Sequence, residues 1–500
     1  MRVVLGGIAV AVLLLVLGVC LPASRLETDL VQAPVDRPSP EADAGARGPQ
    51  APPNILFVLT DDQDAASVAE MPNVRSLLVA EGTSFDRAYA TTAMCCPSRA
   101  SILRGQYAHN HRILENQFPN GGFKRFLRLG REESTVATWL DGAGYHTGYM
   151  GKYLNEYGTF DEPSPHVPPG WDDWVGYEGG FAEEEKHGAF KVNLDGDVVR
   201  RNADKRHETD FLARQAENFI EDRGTDQPWF LAVATNAPHS PALASERNDG
   251  TYAGEVMPKG PAFNEADISD KASPWRDNAR LSKECPKGYR ERPEAQCLRE
   301  ATEHWRDRME SLQDVDDMVE VLVGALREKG FLRNTYIVFS SDNGYAMYDN
   351  RIYSKGAPYE GSHNVPMIVR GPGVEAGRTD NHLVANIDLA PTFAAWARAD
   401  TPAFVDGRDM TPLLEDATLS WRTRLLFEHY LGDHDYNAIR TAGDRVLIEY
   451  PRAKDTEYYD LTEDPHQLEA GNTRPPDLEA HLRRLENCAG AECREADGGP

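Results

Sequence analysis

The chain has 500 residues, of which 40% are hydrophobic, and its formal net charge at pH 7 is −27. A chain of this length is longer than one that folds around a single simple hydrophobic core. It predicts two domains, or one large domain with an appendage. The acidic charge argues against a nucleic-acid partner, which requires a basic surface, and an anionic substrate would need a local cationic pocket.

The amino-terminal segment has the pattern of an export signal. Arg2 precedes an apolar run over residues 3–21, which ends at a proline. Residues 1–24 therefore indicate a secretory signal peptide or, because the run is long, an uncleaved membrane anchor. Residues 25–53 are rich in Pro, Ala, Gly and Asp and predict a disordered linker. The protein is expected to be secreted or attached to the cell surface.

Apolar runs with β-branched residues alternate with helical patterns along the next part of the chain. The predicted strands cover residues 54–60, 145–152, 229–235, 335–340 and 365–370, and the predicted helices cover residues 72–81, 135–140 and 303–329. Buried parallel strands have this continuous apolar character. The alternation predicts an α/β fold with a parallel core, in which ligands bind at the carboxyl ends of the strands.

The last part of the chain changes character. Short strands with turns between them are predicted over residues 424–430, 438–441, 444–449 and 457–461, followed by a helix over residues 476–487. This pattern is typical of an antiparallel sheet. It predicts a smaller C-terminal domain at residues 416–500, after a principal domain at residues 54–415.

The run Cys-Cys-Pro-Ser-Arg at residues 95–99 is followed by Gly105. Proline in a first turn and glycine at the end predict a helix that begins at the cysteine pair. Cys95 then lies at a helix N-terminus, which favours an anion, and Arg99 offers a planar set of donors one turn away. The alternative is a buried cysteine pair beside an ordinary helix, because free cysteine is often buried.

Two polar pairs follow predicted strands. Asp61 and Asp62 come after the first strand, and Asp342 and Asn343 come after the strand that ends at residue 340. Their hard oxygen ligands suit Ca²⁺ or Mg²⁺ rather than zinc, since no histidine or thiolate cluster accompanies them. One pair alone would be a helix cap or a solvated turn. Two such pairs together with the cysteine motif indicate a divalent-cation site.

The run at residues 95–99 resembles the signature of type I sulfatases, in which the first cysteine of Cys-x-Pro-Ser-Arg is oxidised to formylglycine. The resemblance implies a formylglycine nucleophile at Cys95, made by a formylglycine-generating enzyme. It also implies an alkaline-phosphatase-like fold, with a large mixed, mostly parallel sheet and a smaller C-terminal antiparallel sheet. One divalent cation, normally Ca²⁺ with Mg²⁺ as the alternative, is then expected on Asp61, Asp62, Cys95, Asp342 and Asn343.

Three further side chains match this family's pattern. Lys152 follows Gly151, His239 lies in a Pro-His-x-Pro string, and Lys355 corresponds to the family's second lysine. The resemblance implies that both lysines contact the sulfate, and that His239 or Lys355 protonates the leaving oxygen. A lysine after a strand is usually solvated, and a loop histidine is as often structural. The expected catalytic residues are Cys95, Arg99, Lys152, His239 and Lys355.

The string Gly-Lys-Tyr-Leu-Asn-Glu-Tyr at residues 151–157 places Leu154 where many arylsulfatases carry a histidine. Together with Tyr-Ala-His-Asn-His at residues 107–111, it resembles the branch of N-acetylglucosamine-6-sulfatases and heparan endosulfatases. This implies sulfate release from a sulfated carbohydrate of the glycosaminoglycan type, with 6-O-sulfated N-acetylglucosamine as the expected unit. A broad arylsulfatase acting on aryl sulfate esters, a phosphate or phosphonate ester hydrolase, and a glycan-binding protein with unmodified Cys95 remain alternatives.

Further polar residues have weaker patterns. Two cysteine pairs are candidate disulfides in an exported protein, namely Cys285 with Cys297 and Cys488 with Cys493, although sequence does not fix the connectivity. Candidates for contacts with the sugar, each with a structural role as the alternative, are His109, His111, Glu360 and His363.

Overall fold

The computed structural model describes residues 52–159, 165–179, 189–202, 207–276 and 294–499. The signal or anchor expected over residues 1–24 lies outside these ranges, as does the expected linker up to residue 51. In the described part of the chain, no helix has both the length and the apolar character needed to cross a membrane.

The described strands are β1 (Asn54–Thr60), β2 (Thr83–Phe85), β3 (Ala88–Tyr89), β4 (His146–Gly151), β5 (Asp173–Glu178), β6 (Ala189–Leu194), β7 (Asp197–Asn202), β8 (Trp229–Ala234), β9 (Thr335–Ser341), β10 (Ala346–Met347), β11 (Tyr353–Ser354), β12 (Met367–Arg370), β13 (Arg378–Asp380), β14 (Val384–Ala385), β15 (Arg424–His429), β16 (Tyr436–Thr441), β17 (Arg445–Tyr450) and β18 (Asp455–Asp460).

The described α-helices are α1 (Pro72–Val74), α2 (Cys95–Arg104), α3 (Ala108–His111), α4 (Gly122–Arg128), α5 (Val136–Gly142), α6 (Glu208–Asp222), α7 (Ser273–Arg276), α8 (Glu294–Glu328), α9 (Glu360–His363), α10 (Leu389–Ala397), α11 (Thr411–Glu415), α12 (Pro476–Leu485) and α13 (Ala491–Ala496). A π-helical turn, Arg75–Val79, continues α1.

The largest sheet has ten strands in the order β13-β2-β12-β9-β1-β8-β4-β5-β6-β7. Its five central strands, from β9 to β5, are mutually parallel. Antiparallel pairs occur at both margins, where β12 joins β9 and where β6 joins β5 and β7. The predicted mixed, mostly parallel sheet is therefore confirmed.

Strand β1 runs through the middle of this sheet and is buried along its whole length. Successive side chains of a strand point to opposite faces. Ile55 and Phe57 accordingly pack in one hydrophobic core with Phe393 of α10, whereas Leu56 packs in a second core with Leu312 of α8. Burial on both faces explains why β1 is apolar without alternation.

Most predicted elements in this region are observed with small shifts. Strands β1, β8 and β9 match their predictions within one residue at each end. Helix α8 begins at Glu294, nine residues before its predicted start, and β12 runs antiparallel to β9. The hairpin of β6 and β7 was not predicted; it turns at Asp195 and Gly196, both of which have positive φ.

The C-terminal sheet contains β15, β16, β17 and β18 in sequence order, all antiparallel, and α12 packs on it through Leu478 and Leu482. This confirms the predicted smaller antiparallel sheet, whereas the domain boundary at residue 415 stays a prediction. The Cys488–Cys493 disulfide is present. Cys297 is disulfide-bonded, and its predicted partner Cys285 lies outside the described residues.

Candidate active site

The carboxyl ends of the central parallel strands and the N-terminus of α2 converge on one buried polar cluster. Asp61 and Asp62 follow β1, Lys152 follows β4, the His239 loop follows β8, and β9 leads into Asp342 and Asn343. Helix α2 supplies Cys95 and Arg99, and the hairpin of β10 and β11 is followed by Lys355. The structure therefore brings together the residues that the sequence predicts; their individual roles remain predictions.

Cys95 is the first residue of α2 and is 1% exposed. Its Sγ lies 3.4 Å from Asp61 Oδ1 and 2.6 Å from Nζ of Lys355. Behind it, the backbone N–H of Cys96 donates to Asn116 Oδ1 at 2.9 Å. Burial, with Asp61 nearby, raises the pKa of the Cys95 thiol to about 12. An unmodified thiol is therefore held in its protonated form in this arrangement.

Arg99 lies one turn further along α2, behind the carboxylates rather than at the thiol. Its Nε donates to Asp342 Oδ2 at 2.7 Å, and Nη1 donates to the backbone carbonyl of Lys152 at 2.6 Å. Its Nη2 is 3.8 Å from Asp61 Oδ2. Arg99 thus joins the loops after β4 and β9 and adds positive charge beneath the site.

The two aspartates after β1 are almost fully buried. Burial raises the pKa of Asp61, but the Lys152 ammonium and His239 lower it to about 2. Burial likewise raises the pKa of Asp62, and Lys355 with His239 lowers it to about 2. Both carboxylates are therefore anions over the whole physiological pH range.

The backbone around Asp62 is constrained. Its φ of 68° lies in the left-handed region, which costs a non-glycine residue about 1–2 kcal/mol. Its N–H donates to Asp342 Oδ1 at 3.1 Å, and its carboxylate accepts from Asn343 Nδ2 at 2.7 Å. The loop after β9 therefore holds this strained residue in place.

The donor set fits a hard divalent cation. Ligand atoms of Asp61, Asp62, Cys95 and His239 all lie within 4.8 Å of one another. Among the residues that the structure describes, Asn343 Oδ1 is buried without a hydrogen-bond partner, as expected of an oxygen that serves as a metal ligand. Carboxylate and amide oxygens are what Ca²⁺ and Mg²⁺ prefer. Both carboxylate oxygens of Asp342 already accept hydrogen bonds. A cation bound by Asp342 would therefore share these oxygens with the hydrogen-bond donors.

Two lysines and a histidine flank Cys95. Lys152 Nζ donates to Asp61, and Lys355 Nζ donates to Asp62. Burial lowers the pKa of each lysine, but the paired aspartate raises it above its ordinary value. His239 donates from Nδ1 to the carbonyl of Ser240 at 2.6 Å, and its Nε2 lies 3.7 Å from Asp62 Oδ2. The lysines are therefore fixed cations, and the histidine is oriented by its own loop.

Arg308 of α8 contacts the loops around the cluster and is a candidate functional residue that the motifs do not reveal. It is fully buried, and its Nη2 donates to the Asp62 carbonyl at 2.6 Å. Its Nη1 donates to the Pro238 carbonyl at 3.2 Å, and its guanidinium lies 4.0 Å from the ring centre of Tyr345. One side chain thus supports the loops after β1, β8 and β9. The only signal in the sequence is an arginine at the border of the apolar face of α8.

The four candidates for sugar contacts have other partners. His109 is hydrogen-bonded to Glu428, His111 to Ser101, His363 to Ala90 and Tyr436, and Glu360 is paired with Arg440. These contacts support the structural alternative for each of them.

Comparisons with known proteins identify related families and structures. The family model described as Sulfatase matches residues 53–399, and the model described as N-sulphoglucosamine sulphohydrolase, C-terminal, matches residues 345–485. The N-acetylglucosamine-6-sulfatase of Capra hircus is 32% identical to this chain, and the match covers 90% of this chain and 86% of that protein.

Solved structures share the fold. A structure described as a complex with its substrate D-glucosamine-2-N,6-O-disulfate has a TM-score of 0.73 at 22% identity, covering 89% of this chain and 99% of that one. The phosphonate monoester hydrolase of Silicibacter pomeroyi has a TM-score of 0.66 at 23% identity, covering 87% and 93%. The predicted alkaline-phosphatase-like fold is confirmed.

Proposed function

Because this chain belongs to the sulfatase family and is a sulfuric ester hydrolase, we propose that it releases sulfate from 6-O-sulfated N-acetylglucosamine, with formylglycine at Cys95 as the nucleophile. The observation that carries this proposal is the buried cluster around Cys95. A helix N-terminus, two fixed lysines and a set of oxygen ligands surround one small side chain there. This arrangement suits a tetrahedral dianionic centre.

The modified residue supplies the step that a thiol cannot perform. A hydrated aldehyde has one hydroxyl to attack sulfur and a second whose deprotonation expels sulfate. The overall reaction consumes one water and yields an alcohol and inorganic sulfate. We propose that a formylglycine-generating enzyme oxidises Cys95, whose position at the start of α2 corresponds to the modified cysteine of the family.

The surrounding side chains bind and polarise the sulfate. Lys152 and Lys355 would place ammonium groups on its oxygens as negative charge develops. His239 or Lys355 would deliver the proton to the leaving sugar oxygen, and His239, at 23%, is more exposed than either lysine. Asp61, Asp62, Asp342 and Asn343 would hold Ca²⁺, or Mg²⁺, which supplies additional positive charge beside the nucleophile.

The substrate assignment is supported by the 32% identical N-acetylglucosamine-6-sulfatase and by Leu154 in place of an arylsulfatase histidine. The fold alone does not separate sulfate from phosphonate esters, because hydrolases of both share it. Export is supported by the Cys488–Cys493 disulfide, since such bonds persist in oxidising compartments. We further propose that residues 54–415 form the catalytic domain and that residues 1–24 direct secretion or surface attachment.

The test compares matched esters. Purified protein would be assayed with 6-O-sulfated N-acetylglucosamine, with an aryl sulfate and with the corresponding aryl phosphate, before and after chelation of divalent cations. We expect sulfate release to be fastest from the sugar, to require the cation and to exceed phosphate release. Faster cleavage of the phosphate would support the phosphoesterase alternative. Sugar binding without any sulfate release would support the glycan-binding alternative.

A further inference from the structure

The loop that carries His239 is shaped by short turns on both sides of the histidine. We call residues 235–243, which follow β8, the His239 loop. The N–H of His239 donates to the Asn236 carbonyl at 2.9 Å, and the N–H of Ala242 donates to the His239 carbonyl at 2.9 Å. The direction of the imidazole ring therefore depends on where these two turns are fixed.

The start of α6 holds the His239 loop near both of its ends. Glu208, the first residue of this helix, accepts a hydrogen bond from Asn236 Nδ2 at 3.1 Å through its Oε2. His207, the N-cap residue of the same helix, donates from Nε2 to the Leu243 carbonyl at 2.9 Å. Two neighbouring side chains of α6 thus clamp the loop on either side of its histidine.

Helix α6 is itself anchored to the main sheet. Leu212 and Phe219 of α6 pack in one hydrophobic core with Leu231 and Val233 of β8. At the start of the helix, the backbone carbonyl of Glu208 accepts a hydrogen bond from the hydroxyl of Tyr177, in β5, at 3.0 Å. The residues that clamp the His239 loop are therefore fixed relative to the strands that lead into the catalytic cluster.

Glu208 lies close enough to the catalytic cluster to be affected by its charges. Burial raises the pKa of Glu208 above its ordinary value, and Asp61 raises it further. His207, the Asn236 hydrogen bond and Lys152 act in the opposite direction and offset only part of this increase. Glu208 is thus a buried carboxyl group beside the cluster, and it is bonded to the loop that supplies the histidine of the cluster.

We propose that Glu208 is a positioning residue for hydrolysis of the sulfate ester, because its bond to Asn236 fixes the turn from which the His239 ring reaches the leaving oxygen. This inference rests on the proposed function, and it assigns the proton transfer to His239 rather than to Lys355. As the S–O bond to the sugar breaks, the sugar oxygen takes its proton from the ring. A ring displaced by about 1 Å would make this transfer slower.

Three variants test this role. Glu208→Ala removes the bond to Asn236, whereas the amide oxygen of Glu208→Gln can still accept it. The matched control is Asp210→Ala, since Asp210 is also acidic and in the first turn of α6 but is paired with Arg247. Each variant would be assayed on 6-O-sulfated N-acetylglucosamine and on nitrophenyl sulfate. Nitrophenolate is a good leaving group without a proton, whereas a sugar alkoxide is not.

We expect Glu208→Ala to lower kcat/KM about tenfold on the sugar sulfate and less than about twofold on nitrophenyl sulfate. Glu208→Gln should retain most of the activity, and Asp210→Ala should match the unaltered enzyme on both esters. An equal loss on both esters, or no loss on either, would overturn the inference, because a merely structural residue does not distinguish leaving groups. Asn236→Ala removes the same bond from the loop side and should reproduce the pattern of Glu208→Ala.

Crystal structures of these variants separate this inference from the proposed function. In the unaltered protein, His239 Nε2 lies 3.7 Å from Asp62 Oδ2. We expect this nitrogen to move by about 1 Å in Glu208→Ala and to stay in place in Glu208→Gln. A displaced ring in a protein that releases no sulfate would support the clamp, and only the proposed function would fail. A ring that keeps its position in both Glu208→Ala and Asn236→Ala would overturn the inference whatever the activity.

Discussion

Two sets of buried carboxyl groups in the described part of the chain have opposite surroundings. At the carboxyl ends of the main sheet, Asp61 and Asp62 are paired with Lys152 and Lys355, which lower the aspartate pKa values to about 2 against the effect of burial. In the C-terminal sheet, Glu457 is fully buried, and burial raises its pKa. Asp61 and Asp62 therefore keep their negative charge, whereas the raised pKa of Glu457 favours its neutral form.

The two sets of carboxyl groups differ in the groups that donate hydrogen bonds to them. Glu457 accepts hydrogen bonds from the hydroxyls of Tyr359, Tyr450 and Tyr459 and from the N–H of Ala272. Uncharged donors satisfy a buried carboxyl and tie elements together, which serves stability. Fixed ion pairs around a cysteine concentrate charge that a bound anion and cation can use, which serves catalysis. Substitutions in the first group should therefore cost activity, and substitutions in the second should cost stability.

The largest expected effect is the loss of turnover in Cys95→Ala and Cys95→Ser, because neither residue provides the two hydroxyls of a hydrated aldehyde. Sulfate release should fall to background, while the melting temperature stays close to that of the unaltered protein. Cys96→Ala is the matched control, since Cys96 occupies the variable position of the motif, and it should retain turnover. Near-normal release by Cys95→Ala would contradict the mechanism.

Arg308→Lys should lower kcat about 100-fold, because a lysine cannot hold the Asp62 and Pro238 carbonyls together and small misplacements of reacting groups are costly. Calcium affinity, measured by calorimetry, should also fall. The control is Arg422→Lys, an equally buried arginine paired with Asp388, which should lower stability and leave kcat unchanged. Equal kcat values for the two variants would show that Arg308 is merely structural.

Glu457→Gln tests whether the buried carboxyl group of the C-terminal sheet serves stability. The amide replaces an acceptor by a donor that faces tyrosine hydroxyls, and we expect a loss of about 1–3 kcal/mol in the free energy of unfolding. The exposed Glu463→Gln is the control and should be nearly neutral. Chemical denaturation measures both, and kcat per folded molecule should not change. A loss of kcat without a loss of stability would contradict the stabilising role of Glu457.

The smallest expected effect is a pH dependence of stability from His109. Burial lowers its pKa, but Glu428 more than offsets this and raises it to about 9. Since the folded value exceeds the unfolded value, the stabilisation is complete below the unfolded pKa of 6.5 and is lost as the pH rises through 9. We expect a decrease of a few degrees in melting temperature between pH 7 and pH 9.5. His109→Gln should lack this part of the pH dependence; parallel curves for the two proteins would contradict the assignment.

Local patterns were sufficient for much of the fold and for the core of the site. Strand β1 is continuously apolar because both of its faces are buried, and α2 has its proline in the first turn and Gly105, with φ 64°, at its end. The polar pairs after β1 and β9 come together because these two strands are adjacent and parallel. The order of residues within each motif was thus enough to predict where these residues lie in the fold.

Contacts between residues far apart in the chain could not be predicted from the sequence. Arg308 acts on backbone carbonyls of loops far away in the chain, and no spacing near it encodes those partners. The position of Arg99 behind Asp342 depends on how α2 packs against the loop after β9. The hairpin of β6 and β7 is different, since Asp195-Gly196 is a typical turn signal that the polar strands around it obscured.

The most direct test of the account is the mass of the tryptic peptide Ala88–Arg99 from protein purified from its native source. We predict that Cys95 has lost sulfur and two hydrogens and gained one oxygen, which is the change from cysteine to formylglycine, while Cys96 is unmodified. A peptide that carries two intact thiols would contradict the account, because the cluster around Cys95 would then lack its nucleophile.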